Sequence, residues 1–176
     1  TMACAGSTVS FPNASEQNPL NPIIKYTWSF GNGPDVIFTA PPFETVYPDT
    51  GYYDLKLKVE DANGCADSIS IIRGVGIFAP VASFNSPDTI VCPNTDVNFY
   101  NASTGVGLKY NWSFGDGGTS NVRQPVKQYT KDGIYDIKLE VTDTANCISI
   151  MDRPQYINVG GLKANFVVSD TFASCP

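Results

Sequence analysis

The stretch YNWSFGDGG, Tyr110 to Gly118, has a near copy in YTWSFGNGP, Tyr26 to Pro34. In both, Tyr, Trp and Phe occupy alternate positions, and the run ends on a Gly-Asp-Gly or Gly-Asn-Gly corner. Period two predicts a strand with a buried aromatic face. Glycine beside Asp or Asn predicts a tight turn at its end. Tyr110, Trp112 and Phe114 are expected to face in, with Asn111 and Ser113 facing out. A corner present twice is either two copies of an active site or two copies of a fold, and the flanking sequence decides between them.

Downstream of each corner runs a second strongly patterned segment. GIYDIKLEVTD, Gly133 to Asp143, puts Tyr135, Ile137, Leu139 and Val141 on one face; GYYDLKLKVED, Gly51 to Asp61, does the same with Tyr53, Leu55, Leu57 and Val59. Cys147 lies 82 positions after Cys65, Trp112 lies 84 after Trp28, and NFYNAS at 98–103 lies 88 after SFPNAS at 10–15. The offset changes only between strands, which is where repeated sandwiches tolerate insertions. VASFNSPDTIVCP at 81–93 is echoed by KANFVVSDTFASCP at 163–176, so a third copy is expected to have begun. The boundaries read as a first domain over 1–79 without its opening strand, a second over 80–160, and the first strand of a third over 161–176. The chain reads as a fragment of an array. No segment shows a 3.6-residue period, and several short strands per repeat predict an all-β chain of tandem seven-stranded immunoglobulin-like sandwiches.

Composition narrows the chemistry. Of 176 residues, 15 are Gly and 13 Pro, favouring turns over helices, and no histidine is present. That removes the usual general base at neutral pH and the commonest metal ligand. The net charge is −6, with no two basic residues adjacent, so neither nucleic acid nor an anionic membrane surface is an expected partner. No apolar run approaches the about 20 residues a membrane span needs.

Tyr-x-Trp-x-Phe-Gly-Asp-Gly followed by a Gly-x-Tyr-x-Ile/Leu-x-Leu-x-Val-x-Asp strand resembles the PKD (polycystic kidney disease) domain, an immunoglobulin-like β-sandwich. The first copy departs at Asn32, where the family carries aspartate. The added cysteines resemble the PKD repeats of very large surface proteins of gliding bacteria, exported by the type IX route. Some PKD-like modules bind calcium near this corner, and the resemblance makes Asp116, Asp143, Asn85 and Ser86 the candidate ligands, with Asn32 and Asp61 their counterparts in the first copy. The alternative is that the tryptophans are core residues and the corner is only a turn. A calcium shell takes six to eight oxygens.

The five cysteines lack C-x-x-C spacing and read as one bridge per repeat, Cys4 with Cys65 and Cys92 with Cys147, leaving Cys175 unpaired. Such bridges imply an oxidising, extracellular or cell-surface location. No serine has a histidine to activate it, and no acid pair is held across a cleft, so no enzyme activity is expected. A carbohydrate platform would have to come from Tyr52, Phe43, Tyr47 or Tyr156.

Two readings follow. The first is a non-catalytic set of disulfide-locked spacer and interaction modules in a large bacterial adhesin for gliding or attachment. Its partners would be neighbouring PKD repeats of the same chain and cell-surface proteins or polysaccharide. The second is an accessory substrate-binding module of a secreted hydrolase. The incomplete first repeat is further expected to expose an edge where Ala164–Ser169 of a neighbouring molecule could dock.

Overall fold

A computed structural model of the chain describes residues 1–16, 19–162 and 165. The first domain contains β1 (Met2–Cys4), β2 (Thr8–Phe11), β3 (Ile23–Ser29), β4 (Val36–Phe38), β5 (Phe43–Val46), β6 (Gly51–Asp61) and β7 (Ala66–Phe78). The second contains β8 (Phe84–Asn85), β9 (Ile90–Val91), β10 (Asp96–Asn98), β11 (Tyr100–Asn101), β12 (Lys109–Ser113), β13 (Thr119–Ser120), β14 (Val126–Gln128), β15 (Gly133–Thr142) and β16 (Ile148–Val159). Among the described residues there is no helix. The expected opening strand of a third repeat over 161–176 lies, but for Gly161, Leu162 and Asn165, outside them, as does Cys175.

Each domain is a sandwich built on a five-stranded sheet. In the first the order is β1-β7-β6-β3-β4, faced by the β2-β5 pair; in the second it is β13-β12-β15-β16-β9, faced by β10-β14 and β8-β11. The edge strands β1 and β9 run parallel to β7 and β16, with Ala3 opposite Ile77 and Val91 opposite Val159. All other strand pairings among the described residues are antiparallel.

The alternation in the sequence sets the two faces. Tyr26, Trp28 and Phe30 are buried with Leu55 and Leu57 in one core; Trp112, Phe114, Ile137, Leu139 and Val141 are buried in the other. Trp112 lies edge-on to Phe84 at 5.1 Å between ring centroids, and Trp28 stacks on Phe30 at 5.4 Å. Such aromatic pairs add about 0.5–1.5 kcal/mol each beyond the area they bury. Near the foot of β6 and β15, Tyr53 and Tyr135 donate their hydroxyls to the carbonyls of Asp49 and Lys131, four residues back, at 2.8 and 2.9 Å. This is the tyrosine corner of immunoglobulin-like sandwiches.

The outward Asp in each of these strands has a role its pattern does not announce. Both ladders slip one register beside it, between Tyr53 and Leu55 and between Tyr135 and Ile137. Opposite the slip, Arg73 and Gln155 take positive φ (52° and 54°), and their amides donate to Asp54 and Asp136 at 2.7 and 2.6 Å. The carboxylate satisfies an amide that the bulge removes from the ladder.

At the corner after β12, Gly115 has φ +77°, and a Cβ there would lie 2.7 Å from the Asp136 carbonyl oxygen. Gly117 has φ +87° but open space around it. Gly115→Ala is therefore expected to lower urea stability by about 1–3 kcal/mol, and Gly117→Ala by no more than about 1–2 kcal/mol, the left-handed cost alone. Denaturation followed by tryptophan fluorescence in a Trp28→Phe background reads both.

Candidate functional site

Three places collect the residues that the sequence singles out: the corner after β12, the turn between β15 and β16, and the flank of the first domain. At the corner, Asp116 Oδ1 accepts the Gly118 amide at 2.9 Å and Asp116 Oδ2 lies 2.7 Å from Lys127 Nζ. Partial burial pushes the carboxyl up. The Lys127 hydrogen bond, the Gly118 amide and the Lys127 charge outweigh this and hold it below the usual carboxylate range. Behind it, Tyr129 donates to the Phe114 carbonyl at 3.1 Å, and burial, then the Asp116 charge, push its phenol well above the usual range. The equivalent Tyr47 donates to Phe30 at 3.0 Å and is pushed up to about 12 by burial and by Tyr53. Asn32 occupies the first corner and donates to the Val46 carbonyl at 2.9 Å.

Asp143 does not join Asp116. The two sit beyond opposite ends of β12, since Lys109 pairs with Thr142 at one end and Ser113 with Lys138 at the other. Asp143 is 3% exposed; its Oδ1 accepts the amides of Ala145 and Cys147 at 2.8 and 2.9 Å, and its Oδ2 has no partner. Asp61 builds the same turn in the first domain, accepting Asn63 and Cys65 at 2.9 Å each. Asn85 is exposed on β8, and Ser86 is tied by its amide to the Tyr156 hydroxyl at 2.9 Å. The four proposed calcium ligands thus do not form one shell. Among the described residues no group of three or more His, Cys, Asp or Glu could hold a metal ion.

The expected bridges Cys4–Cys65 and Cys92–Cys147 are not formed. Cys4 is joined to Cys147, 143 positions away, while Cys65 and Cys92 are free and exposed. The reason is strand length. Cys4 lies opposite Phe78 at the end of β7, whereas Cys65 immediately precedes its first residue. Thirteen residues at about 3.3 Å each put roughly 40 Å between them, far beyond the about 7 Å limit for Cα atoms of a bridge. Cys92 and Cys147 are separated in the same way by β16. The end of the first domain instead abuts the β15–β16 turn of the second. There the Thr144 amide donates to the Val106 carbonyl at 3.2 Å, and Pro80 is buried in the connection. A cavity of about 160 Å³ lies between Thr50, Ile77 and Phe78 on one side and Gly105, Val106 and Asp143 on the other.

The flanks of the two domains differ. In the second, β8 lays Phe84 over Trp112, with Tyr156 edge-on to Phe84 at 5.6 Å and Ala82 donating to Ser149 Oγ at 3.0 Å. No described residue of the first domain corresponds to β8. In its place is a cavity of about 760 Å³ lined by Phe11, Trp28, Leu55, Leu57, Ile69 and Ile71 among others. Gly74 stands there where the second domain has Tyr156. Trp28 is accordingly 7% exposed against 0% for Trp112, its Nε1 has no partner among the described residues, and Ile69 is 60% exposed. In the second domain Trp112 Nε1 donates to the Val122 carbonyl at 2.9 Å. The docking segment expected at Ala164–Ser169 lies, but for Asn165, outside the described residues. Of the four aromatics considered for a carbohydrate platform, Phe43 and Tyr47 are fully buried and Tyr156 packs on Phe84. Only Tyr52 is exposed, and Arg73 covers its ring at 4.0 Å.

The PKD domain family profile matches this chain twice, over residues 1–74 and 78–159. The PKD1 domain of the Vibrio cholerae metalloprotease PrtV is 30% identical over 46% of this chain and 98% of its own length, with a TM-score of 0.40. The PKD1 domain of Vibrio anguillarum Epp is also 30% identical, covering 47% of this chain and 96% of its own, with a TM-score of 0.40. The fibronectin(III)-like modules of Clostridium thermocellum CbhA are 14% identical over 96% of this chain and 94% of theirs, with a TM-score of 0.43.

Because the folded Asp116 carboxyl is more acidic than in the unfolded chain, its contribution is full above the unfolded carboxylate range and is lost as pH falls through the folded value. Asp116→Asn should therefore cost up to about 1 kcal/mol at pH 7, and the gap to the parent protein should close below about pH 4 in thermal melts. The open flank gives a second expectation. Acrylamide should quench Trp28 in the Trp112→Phe variant with a larger Stern–Volmer constant than Trp112 in Trp28→Phe.

Proposed function

The chain belongs to the PKD domain family, and on that footing we propose that it is a pair of non-catalytic spacer and interaction modules of a large bacterial cell-surface adhesin serving attachment or gliding. PKD domains are commonly extracellular modules of surface or secreted proteins and are generally non-catalytic. The observation that carries the spacer reading is the Cys4–Cys147 bridge, which ties one repeat to the next rather than closing either. A binding module needs a stable sandwich, which each core already supplies. A bridge across the junction adds something else: it fixes how one module sits on its neighbour. The buried Pro80 in the short connection restricts bending from the backbone side as well. Disulfides of this kind persist in oxidising surroundings outside the cytosol.

The second reading, an accessory module of a secreted hydrolase that takes polysaccharide or protein substrate, draws on the open apolar flank beside Trp28. Among the described residues no helix is long and apolar enough to cross a membrane.

Stiffness is the property to measure. With dyes on Cys65 and Cys92 in a Cys175→Ser background, single-molecule energy transfer should give one narrow distribution for the oxidised protein and a broader one for Cys4→Ser/Cys147→Ser. Equal widths would remove the spacer reading. Retention on a polysaccharide column dependent on Trp28 would favour the accessory reading.

A further inference from the structure

We propose that Cys92 and Cys65 are the two halves of the same bridge that Cys4 and Cys147 make inside the chain, so that a second repeat of this kind, seated end to end, is joined covalently at each outer face. The inference extends the spacer reading and rests on an internal comparison of the two domains. Cys92 follows Val91, paired with Val159, just as Cys4 follows Ala3, paired with Ile77. The turn after each cysteine is also the same. The Ser7 and Thr95 amides donate to the Cys4 and Cys92 carbonyls at 3.1 and 3.3 Å. Gly6 and Asn94, both at positive φ, donate to the Tyr47 and Tyr129 carbonyls at 2.8 and 2.7 Å.

The partner half is equally matched. Asp61-Ala62-Asn63-Gly64-Cys65 and Asp143-Thr144-Ala145-Asn146-Cys147 form one turn built twice. In each the Asp amide donates to the cysteine carbonyl at 3.0 Å, the cysteine amide donates to the Asp Oδ1 at 2.9 Å, and the residue before the cysteine has positive φ. Cys147, engaged, is 3% exposed, whereas Cys65 in the same turn is exposed. Each free thiol therefore stands in the backbone setting of a bonded one.

The two cannot meet within one chain. β7 carries Cys65 to the end of the first domain away from the junction, and β16 carries Cys92 to the far end of the second. The occupant each face fits is thus the opposite face of another repeat, Cys92 receiving an Asp-x-x-x-Cys turn. The contact is head to tail, and it propagates. Bond formation needs a two-electron acceptor, here a small-molecule disulfide such as oxidised glutathione. The Cys92 thiolate attacks it and releases one glutathione thiolate. The Cys65 thiolate of the next molecule then attacks the Cys92 sulfur and expels the second. The two protons given up by the cysteines leave on the two glutathione thiols, and the disulfide of the oxidant is reduced as the protein's is formed.

Two variants of the full chain test this, both with Cys175→Ser: Cys65→Ser, which keeps Cys92, and Cys92→Ser, which keeps Cys65. Mixed in a glutathione redox buffer and separated on non-reducing gels, they should yield the Cys92–Cys65 heterodimer at about tenfold over either homodimer, because docking raises the local concentration of the correct pair. The Cys175→Ser protein alone should give a ladder of oligomers, and mass mapping should place Cys65 and Cys92 in one linked peptide. Homodimers forming as readily as the heterodimer, or no cross-link at all, would overturn the proposal. The readout concerns the end faces only, so it can fail while the stiffness of the Cys4–Cys147 junction stands, and the reverse.

Discussion

A strand as long as its domain is the constraint from which the rest of the architecture follows. β7 and β16 run 13 and 12 residues, and each carries a parallel edge strand at its far end and a cysteine turn at its near end. A disulfide reaches across a few ångströms; the strand spans several times that. The cysteine that opens a repeat and the one in the long turn can therefore never be partners within it. They become partners across a junction, because the end of one sandwich faces the beginning of the next. The short connection through Phe78, Ala79 and Pro80 holds the two faces together, and the bridge from Cys4, opposite Phe78, adds a second covalent tie.

Much of this is legible in the sequence. Period two in Tyr110–Phe114 and in Tyr135–Val141 fixes strands, buried faces and the inward tryptophans, since a half-buried strand allows no other assignment. The bridge pattern misleads because equal spacing of Cys65 and Cys147 shows that the residues are equivalent without showing what they touch. The length of β7, countable from Ala66 to Phe78, is the signal that excludes Cys4 with Cys65. The Asp54 and Asp136 bulge supports stay hidden for a different reason. An outward Asp in a strand looks like an ordinary solvated residue, and the amide it serves belongs to another strand. Asp143 has the look of a ligand until its Oδ1 is seen to close the turn to Cys147.

The two domains also show how much one short strand contributes. Phe84 on β8 seals Trp112, and with that cover Leu139, Ile137 and Val141 are fully buried. In the first domain the same sheet face is lined by Leu55, Leu57 and Val59 beside an open cavity. The sheets, turns and tyrosine corners are otherwise alike, so the difference lies in the packing layer rather than in the framework.

The Cys4–Cys147 bond makes a closed ring of everything between those residues. A mechanical load applied at Thr1 and Leu162 travels through Cys4 and the sulfurs directly to Cys147, and the residues inside the ring carry no extension while the bond holds. Only the segments outside the ring can lengthen. Cutting the ring open by reduction would make that hidden contour available, so the redox state of a single bond decides whether the pair can extend under tension only by its two short outer segments or along its whole length.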